Sequence, residues 1–391
     1  MKYFFIPGRL RDLSAVEISQ QAKVILDKYS LDNKGRNFFV LESDQPEQVA
    51  MLFNRLGGFI KYGEVYELDA DLSSIFPINL EKVNYGVSGY SNSSAKDLHD
   101  KVMKISRSVD KYLKDSGIKS RYIRGDRGEL SSAQILGNNL IEKGADLSLL
   151  QDFKGELSLG KTLAVQDIAG FSMRDYERPA FDKKMGMLPP KLARIMVNLA
   201  SVKPGATIWD PFCGVGTIPL EALLLGYNVL GSDLDEEMVN STEENIAWLS
   251  KNYDLGDQKY ALFQYDVTDY HKGIRKKLRN TEIHAVVFEP YMGPPQRKVM
   301  APGKANELLN EVQKLYEGLF LMLEHIDKHE LTVVAVLPSY KTHKGWMTLR
   351  YSSLFSKKWE IINNKVREKD LHWERTNSII RRNLLILKMK S

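Results

Sequence analysis

Cysteine is almost missing from the 391 residues: Cys213 stands alone. A single thiol excludes an internal disulfide framework and argues against a cysteine-based zinc site. Long apolar runs are missing too. None reaches the ~18–20 residues that a membrane helix needs. Met1–Leu10 is apolar but short, and it lacks the basic region and small-residue cleavage site of a signal peptide. The expected compartment is therefore the cytoplasm, with no membrane partner. There is no low-complexity tract and no internal repeat. His325 and His329 stand at i and i+4 near a helix end and read as surface residues, so no metal is expected.

What is present is an ordinary globular composition, 43% hydrophobic and 27% charged, on a chain too long for one core. The net charge of +5 and pI near 8.9 are compatible with a nucleic-acid partner without establishing one.

Three segments follow from the periodicity, 1–68, 69–170 and 171–391. In the first, Tyr3–Ile6, Asn37–Leu41 and Phe59–Leu68 read as strands, and Ala15–Tyr29 and Gln45–Leu56 as helices. Ser14 and Glu17 have the spacing of a capping box. This order suggests a ferredoxin-like or split βαβ arrangement. In the second, strands are expected at Asn84–Tyr90, Arg121–Arg124 and Leu163–Asp167. Helices are expected at Ala95–Lys114 and at Ser132–Lys143, the latter ended by Gly144. From about Arg178 short apolar strands (Thr207–Asp210, Val229–Ser232, Tyr260–Gln264, Ala285–Phe288, Thr332–Leu337) alternate with helices (Pro219–Leu225, Glu236–Ser250, Ala305–Asp327). That is the pattern of a doubly wound parallel sheet, whose ligands sit at the carboxyl ends of its strands.

Chemistry concentrates at three successive strand ends. Asp210-Pro211-Phe212-Cys213-Gly214-Val215-Gly216-Thr217 follows one strand and opens a helix. Gly214 and Gly216 let the backbone approach a ligand closely. Asp233, with Leu234 and Asp235, ends the next strand roughly 20 residues on, where a carboxylate suits the two hydroxyls of a ribose. Asp266 and Val267 end the third, where a carboxylate can accept from the adenine amino group. Each aspartate alone also reads as a helix cap; jointly they point to an adenosyl ligand. A dinucleotide is disfavoured because Pro219 occupies the third glycine position of G-x-G-x-x-G. A triphosphate loop, and ATP with it, is not expected. Cys213 reads as a small loop residue rather than a nucleophile.

These residues resemble a known family. From Arg178 onward the chain resembles the amino-group methyltransferases of the class I S-adenosylmethionine fold. It is most similar to the THUMP-containing tRNA guanosine-N2 methyltransferases that act at position ten. The resemblance rests on Ile6-Pro7-Gly8-Arg9, on Leu159–Gln166, on Arg174-Asp175-Tyr176 through Arg178-Pro179, on Gly186–Arg194 and on Asp210–Thr217. It implies a Rossmann-like class I methyltransferase domain with a parallel-sheet core, preceded by ferredoxin-like and THUMP-like α/β domains. It also implies S-adenosyl-L-methionine as cofactor and tRNA as partner. Asp210, Phe212, Gly214, Gly216, Thr217, Asp233, Leu234, Asp266 and Val267 would hold the cofactor.

One departure stands out. The family carries Asp, Asn or Ser before Pro-Pro-Tyr or Pro-Pro-Phe after the fourth strand, where the polar group accepts from the target amino group and the aromatic stacks on the flipped base. Here Glu289, Pro290 and Tyr291 occupy that place, with one proline fewer and a side chain one methylene longer. Either the pocket has adjusted, or the substrate is another RNA or DNA, or the chain is a catalytically silent RNA-binding protein. For RNA contacts the candidates are Arg121, Arg124, Arg127 and Lys161 in the THUMP-like segment and Arg381 and Arg382 near the end, the last two also reading as caps of the sheet edge. The basic run Lys272, Arg275, Lys276, Lys277 and Arg279 reads as a solvated helix face.

Overall fold

The computed structural model spans residues 1–391 and describes all of them except 36, 77–80, 92–94, 127, 182–186, 270–277, 279, 294–295, 297, 327–329, 351–352, 363–370, 375–377 and 391. Arg127, Gly186, His329 and the basic run at 272–279 thus lie outside the described residues. The chain forms two compact units, Met1–Gly170 and Phe171–Ser391.

The first unit opens β1 (Lys2–Pro7), α1 (Arg11–Ile25), β2 (Ser30–Gly35), β3 (Phe38–Glu42), α2 (Pro46–Arg55), β4 (Phe59–Glu67). Their sheet order, β2-β3-β1-β4 and antiparallel throughout, is that of a ferredoxin-like unit. Tyr3, Phe5, Phe39, Leu41, Phe59 and Tyr62 of the strands are buried with Val49, Leu52 and Phe53 of α2, forming one core. There follow β5 (Lys82–Tyr90), α3 (Ala95–Asp115), β6 (Lys119–Tyr122), α4 (Ser132–Gly137), β7 (Gly144–Gln151) and β8 (Leu157–Val165). They extend the same sheet to the order β2-β3-β1-β4-β8-β7-β5-β6, so one eight-stranded sheet runs across the expected boundary at 68/69.

Four local expectations need correction. Ser14 does not cap α1; it lies inside the helix, where its hydroxyl donates to the carbonyls of Leu10 and Gly58, and Glu17 instead accepts from the backbone N–H groups of Gly57 and Gly58. A reciprocal capping box is found at Ser131 and Gln134, starting α4. That helix stops at Gly137, because Asn139 turns to a positive φ of 52°, and Gly144 begins β7 rather than ending a helix. The strand expected at 163–167 is the end of the longer β8. Finally, Gly155-Glu156-Leu157-Ser158-Leu159-Gly160-Lys161-Thr162 does fit G-x-x-x-x-G-K-[ST] letter for letter. Its second half is nonetheless extended strand, with Gly160 paired to Val65 and Ser148. A phosphate loop must lead from a strand into a helix, so the match is accidental.

The second unit follows α5 (Ile168–Tyr176) with α6 (Pro190–Leu199), β9 (Thr207–Asp210), α7 (Thr217–Leu224), β10 (Asn228–Asp233), α8 (Glu236–Asn252), β11 (Tyr260–Gln264), β12 (Ala285–Phe288), α9 (Pro302–Ile326), β13 (Thr332–Thr342), β14 (Gly345–Thr348), β15 (Trp359–Ile361), β16 (His372–Trp373) and β17 (Ile380–Met389). The main path of its sheet is β11-β10-β9-β12-β13-β17-β15. The first five strands are parallel, and β17 runs antiparallel to β13. β12 is buried at all four positions, as a strand covered on both faces requires. α9 buries Leu308, Leu309, Val312, Tyr316, Leu319, Phe320 and Leu323, one stripe at helical spacing. The strand order reverses between β9 and β12, which opens a crevice at their carboxyl ends.

Candidate active site

The loop leaving β9 is held from several sides. Gly216 sits at φ 87° and caps α7, and a Cβ there would come within 2.9 Å of Thr242 Cγ2. Only glycine suits both constraints. The Cys213 N–H donates to the Ser232 carbonyl on β10. From α8, Thr242 Oγ1 donates to the Gly214 carbonyl at 2.7 Å and Asn245 Nδ2 to the Val215 carbonyl at 2.7 Å. Beneath the loop, Glu221 of α7 binds Arg174 of α5 and Arg194 of α6, each at 2.6 Å, which ties three helices together. The buried Arg178 donates to Thr217 Oγ1 at 2.8 Å. Sequence reading did not single out Thr242, Asn245 or Glu221. Their signal was polarity on the inward stripe of a helix, visible only once the stripe's facing is known.

Asp233, at the end of β10, faces this loop. One of its oxygens accepts from the Gly214 N–H at 2.9 Å and the other from the Asp235 N–H at 3.1 Å. Asp235 in turn caps α8 by accepting from the Glu237 N–H. Asp266 accepts from the backbone and hydroxyl of Thr268, so part of its capacity goes to its own turn.

These strand ends surround a cavity of about 820 Å³. Asp210, Phe212, Gly214, Thr217, Asp233, Leu234, Asp266 and Val267 all line it, and so do Glu289, Pro290 and Tyr291. Gly216 does not; it shapes the turn behind the wall. The lining is acidic. Burial pushes the Asp210 carboxyl well above its ordinary range, and the charges of Asp233 and Glu289 add to the shift. The carboxyl accepts from the Phe212 N–H at 3.0 Å. Burial raises Asp233 as well. It also raises the Cys213 thiol. The Tyr265 hydroxyl is buried at the wall with no hydrogen-bond partner among the described residues.

Glu289 follows β12 directly. Its carboxylate receives the Arg382 guanidinium in a bidentate pair, Nε to one oxygen and Nη2 to the other at 3.2 Å. Arg382 was read as an RNA contact or a cap of the sheet edge. Instead its side chain is 10% exposed and its guanidinium lies 5.0 Å from the centre of the Trp373 ring. Arg381 is likewise engaged, by Glu374 at 2.8 Å and over the Trp346 ring. In the first unit, Arg121 and Arg124 are exposed at β6 and just beyond it, and Lys161 is half-buried on β8 opposite Glu64.

Comparison with known proteins gives the geometry a family. A family model described as UPF0020, RMKL-like, methyltransferase domain matches residues 178–272. The tRNA (guanine(10)-N2)-dimethyltransferase of Methanothermobacter thermautotrophicus is 31% identical over 254 residues, covering 60% of this chain and 69% of that protein. The chain belongs to the tRNA guanine-N2 methyltransferase family. Other relatives in this family are the tRNA (guanine(10)-N2)-dimethyltransferase of Methanocaldococcus jannaschii, 34% identical over 161 residues (40% of this chain, 44% of that protein), and the probable enzyme of the same name from Methanothermococcus thermolithotrophicus, 32% identical over 122 residues (31% and 70%). The matched domain of this methyltransferase family begins at Arg178 and holds the glycine loop, Asp233 and Asp266; Glu289, Tyr291 and Arg382 lie beyond it.

Proposed function

We propose that this chain transfers a methyl group from S-adenosylmethionine to the exocyclic N2 amino group of a guanosine in tRNA. The observation that carries the proposal is the shared cavity. The carboxylates suited to an adenosyl ligand and a carboxylate suited to a guanine amino group line the same space.

The site fits the cofactor on charge. Asp210 is buried, accepts from the Phe212 N–H and is pushed up, which is the state of a carboxylate awaiting a cation. The cofactor brings an ammonium and a sulfonium. In this reading Asp210 would hold the amino-acid end, Asp233 would accept from the ribose hydroxyls and Asp266 from the adenine amino group, and Leu234 and Val267 would supply apolar contact. Bound there, the cofactor supplies an electrophilic methyl group. The protein's own task is alignment, which suffices for most of the rate of an in-line displacement.

Glu289 accepts from guanine N1–H and N2–H, a donor pair that adenine lacks. Acceptance at the amino group turns the nitrogen lone pair away from the carboxylate and stabilises charge developing on nitrogen. Tyr291, 44% exposed at the cavity, stacks on the base once it is out of the RNA stack. Phe212 and Pro290 exclude water. In the N-terminal unit, which we read as THUMP-like, Arg121, Arg124 and Lys161 contact phosphates. No helix among the described residues is long and apolar enough to cross a membrane.

The engagement of both Glu289 oxygens by Arg382 favours a second reading, a silent protein that keeps the cofactor pocket and binds RNA. Incubation with methyl-labelled S-adenosylmethionine and unmodified tRNA, followed by nucleoside analysis, separates the two. Labelled N2-methylguanosine or N2,N2-dimethylguanosine supports catalysis. Cofactor binding without label in any nucleoside supports the silent protein.

A further inference from the structure

The Glu289–Arg382 pair bears on how a glutamate can stand where the family has a shorter side chain. Glutamate adds a methylene and a torsion, and a displacement of ~1 Å at a reacting group can cost about 10²-fold in rate. Arg382 removes that freedom. It comes from β17, which is separated from β12 by β13, and it reaches across the end of the sheet to the carboxylate. Two parallel N–H donors, Nε and Nη2, fix the plane of the carboxylate as well as its position, which a point charge cannot do. Trp373, paired with Arg382 in the β16–β17 ladder, lies under the guanidinium and limits its own movement. The two side chains are 10% and 11% exposed, so the pair is largely desolvated, and each partner depends on the other. Among the described lining residues Arg382 is also the one cation, set against Asp210, Asp233, Asp235, Asp266 and Glu289.

We infer that Arg382 is a positioning residue: it draws the long Glu289 carboxylate back and orients it, so that Glu289 and Arg382 together perform the task of a single shorter acceptor. This rests on the guanine-N2 reading above. Its consequence is that Glu289 and Arg382 are interchangeable with other residues only as a pair.

The test uses the full chain with Arg382→Lys, Arg382→Met, Glu289→Ala and the double variant Glu289→Ala/Arg382→Met. Turnover and KM on tRNA, cofactor affinity and the folding midpoint are measured for each. Arg382→Met is expected to lower kcat about 10²-fold, with cofactor affinity and KM changed far less. Arg382→Lys, which keeps the charge but loses the fork, falls between it and the wild type. In the Glu289→Ala background the Arg382→Met change is expected to cost nothing more, since its effect passes through the carboxylate. Equal costs in both backgrounds overturn the assignment. So does an Arg382→Lys enzyme with unchanged kcat, or an Arg382→Met protein whose loss is confined to its folding midpoint. Wild-type protein that labels no guanine amino group overturns the functional reading itself, and this assignment with it. Labelling by the wild type with no response to Arg382 overturns the assignment alone.

Discussion

Asp210 concentrates the site's electrostatics in one side chain. A carboxyl whose native value stands above its unfolded value binds its proton more tightly in the folded chain. Stability of the ligand-free protein is therefore expected to fall as pH rises from the ordinary carboxylate range through the raised native value. Over the same interval a cationic cofactor should bind more tightly and release a proton, which calorimetry in buffers of different ionisation enthalpy would detect. Asp210→Asn should flatten this dependence, raise the melting temperature of the ligand-free protein and weaken the cofactor roughly 10- to 100-fold, the range for a hydrogen bond to a charged group. Asp233→Ala should weaken the cofactor by a similar factor, and for two reasons. It deletes the proposed ribose acceptor, and it frees the Gly214 and Asp235 N–H groups that hold the loop. An unchanged dissociation constant would remove Asp233 from the cofactor site.

At the scale of elements, the glycine loop depends on backbone geometry more than on contacts. Gly216→Ala places a Cβ at φ 87° and 2.9 Å from Thr242 Cγ2, and is expected to cost about 1–3 kcal/mol in chemical denaturation while loosening the cofactor. This loop was readable in the sequence because its requirements are local: a strand, two glycines, a helix start, and an acid at each following strand end. Three of the four strands of the ferredoxin-like order were readable for the same reason; β2 (Ser30–Gly35) was not. What stayed hidden depends on partners distant in sequence. β7 carries Ala145, Leu147, Leu149 and Leu150 among Asp146, Ser148 and Gln151, and all eight of its residues are buried, so its polar positions conceal a central strand. Ser14 looks like a cap until Gly58, 44 residues away, takes its hydroxyl. Arg382 looks like a surface cation until Glu289, 93 residues away, is found against it.

Across the whole molecule, the two units rest on separate sheets, and each is expected to respond on its own to a change in its core. The N-terminal sheet is crossed by a fully buried ion pair, Lys61 to Asp146 at 2.7 Å, with Thr162 Oγ1 also donating to that carboxylate at 2.6 Å. Burial alone would push the Lys61 ammonium down, yet Asp146 and Tyr90 beside it hold it above its ordinary value. Lys61→Met should cost the N-terminal unit about 3–5 kcal/mol, because it leaves a buried charge unpaired, and an added Asp146→Leu should recover much of the loss. Protease protection mapped along the chain would show the loss within residues 1–170, and uniform loss along the chain would contradict the separation. The same sheet has a consequence for synthesis. β8 is the last strand of its unit in the chain, yet it lies between β4 and β7 and joins them. A nascent chain that has made residues 1–156 therefore exposes the open flanks of two half-sheets, and unpaired flanks of this kind recruit strands from other chains. The ribosome has to finish Leu157–Val165 before either half is sealed, so pausing just before this segment would favour aggregation, and rapid passage through it would favour the native fold.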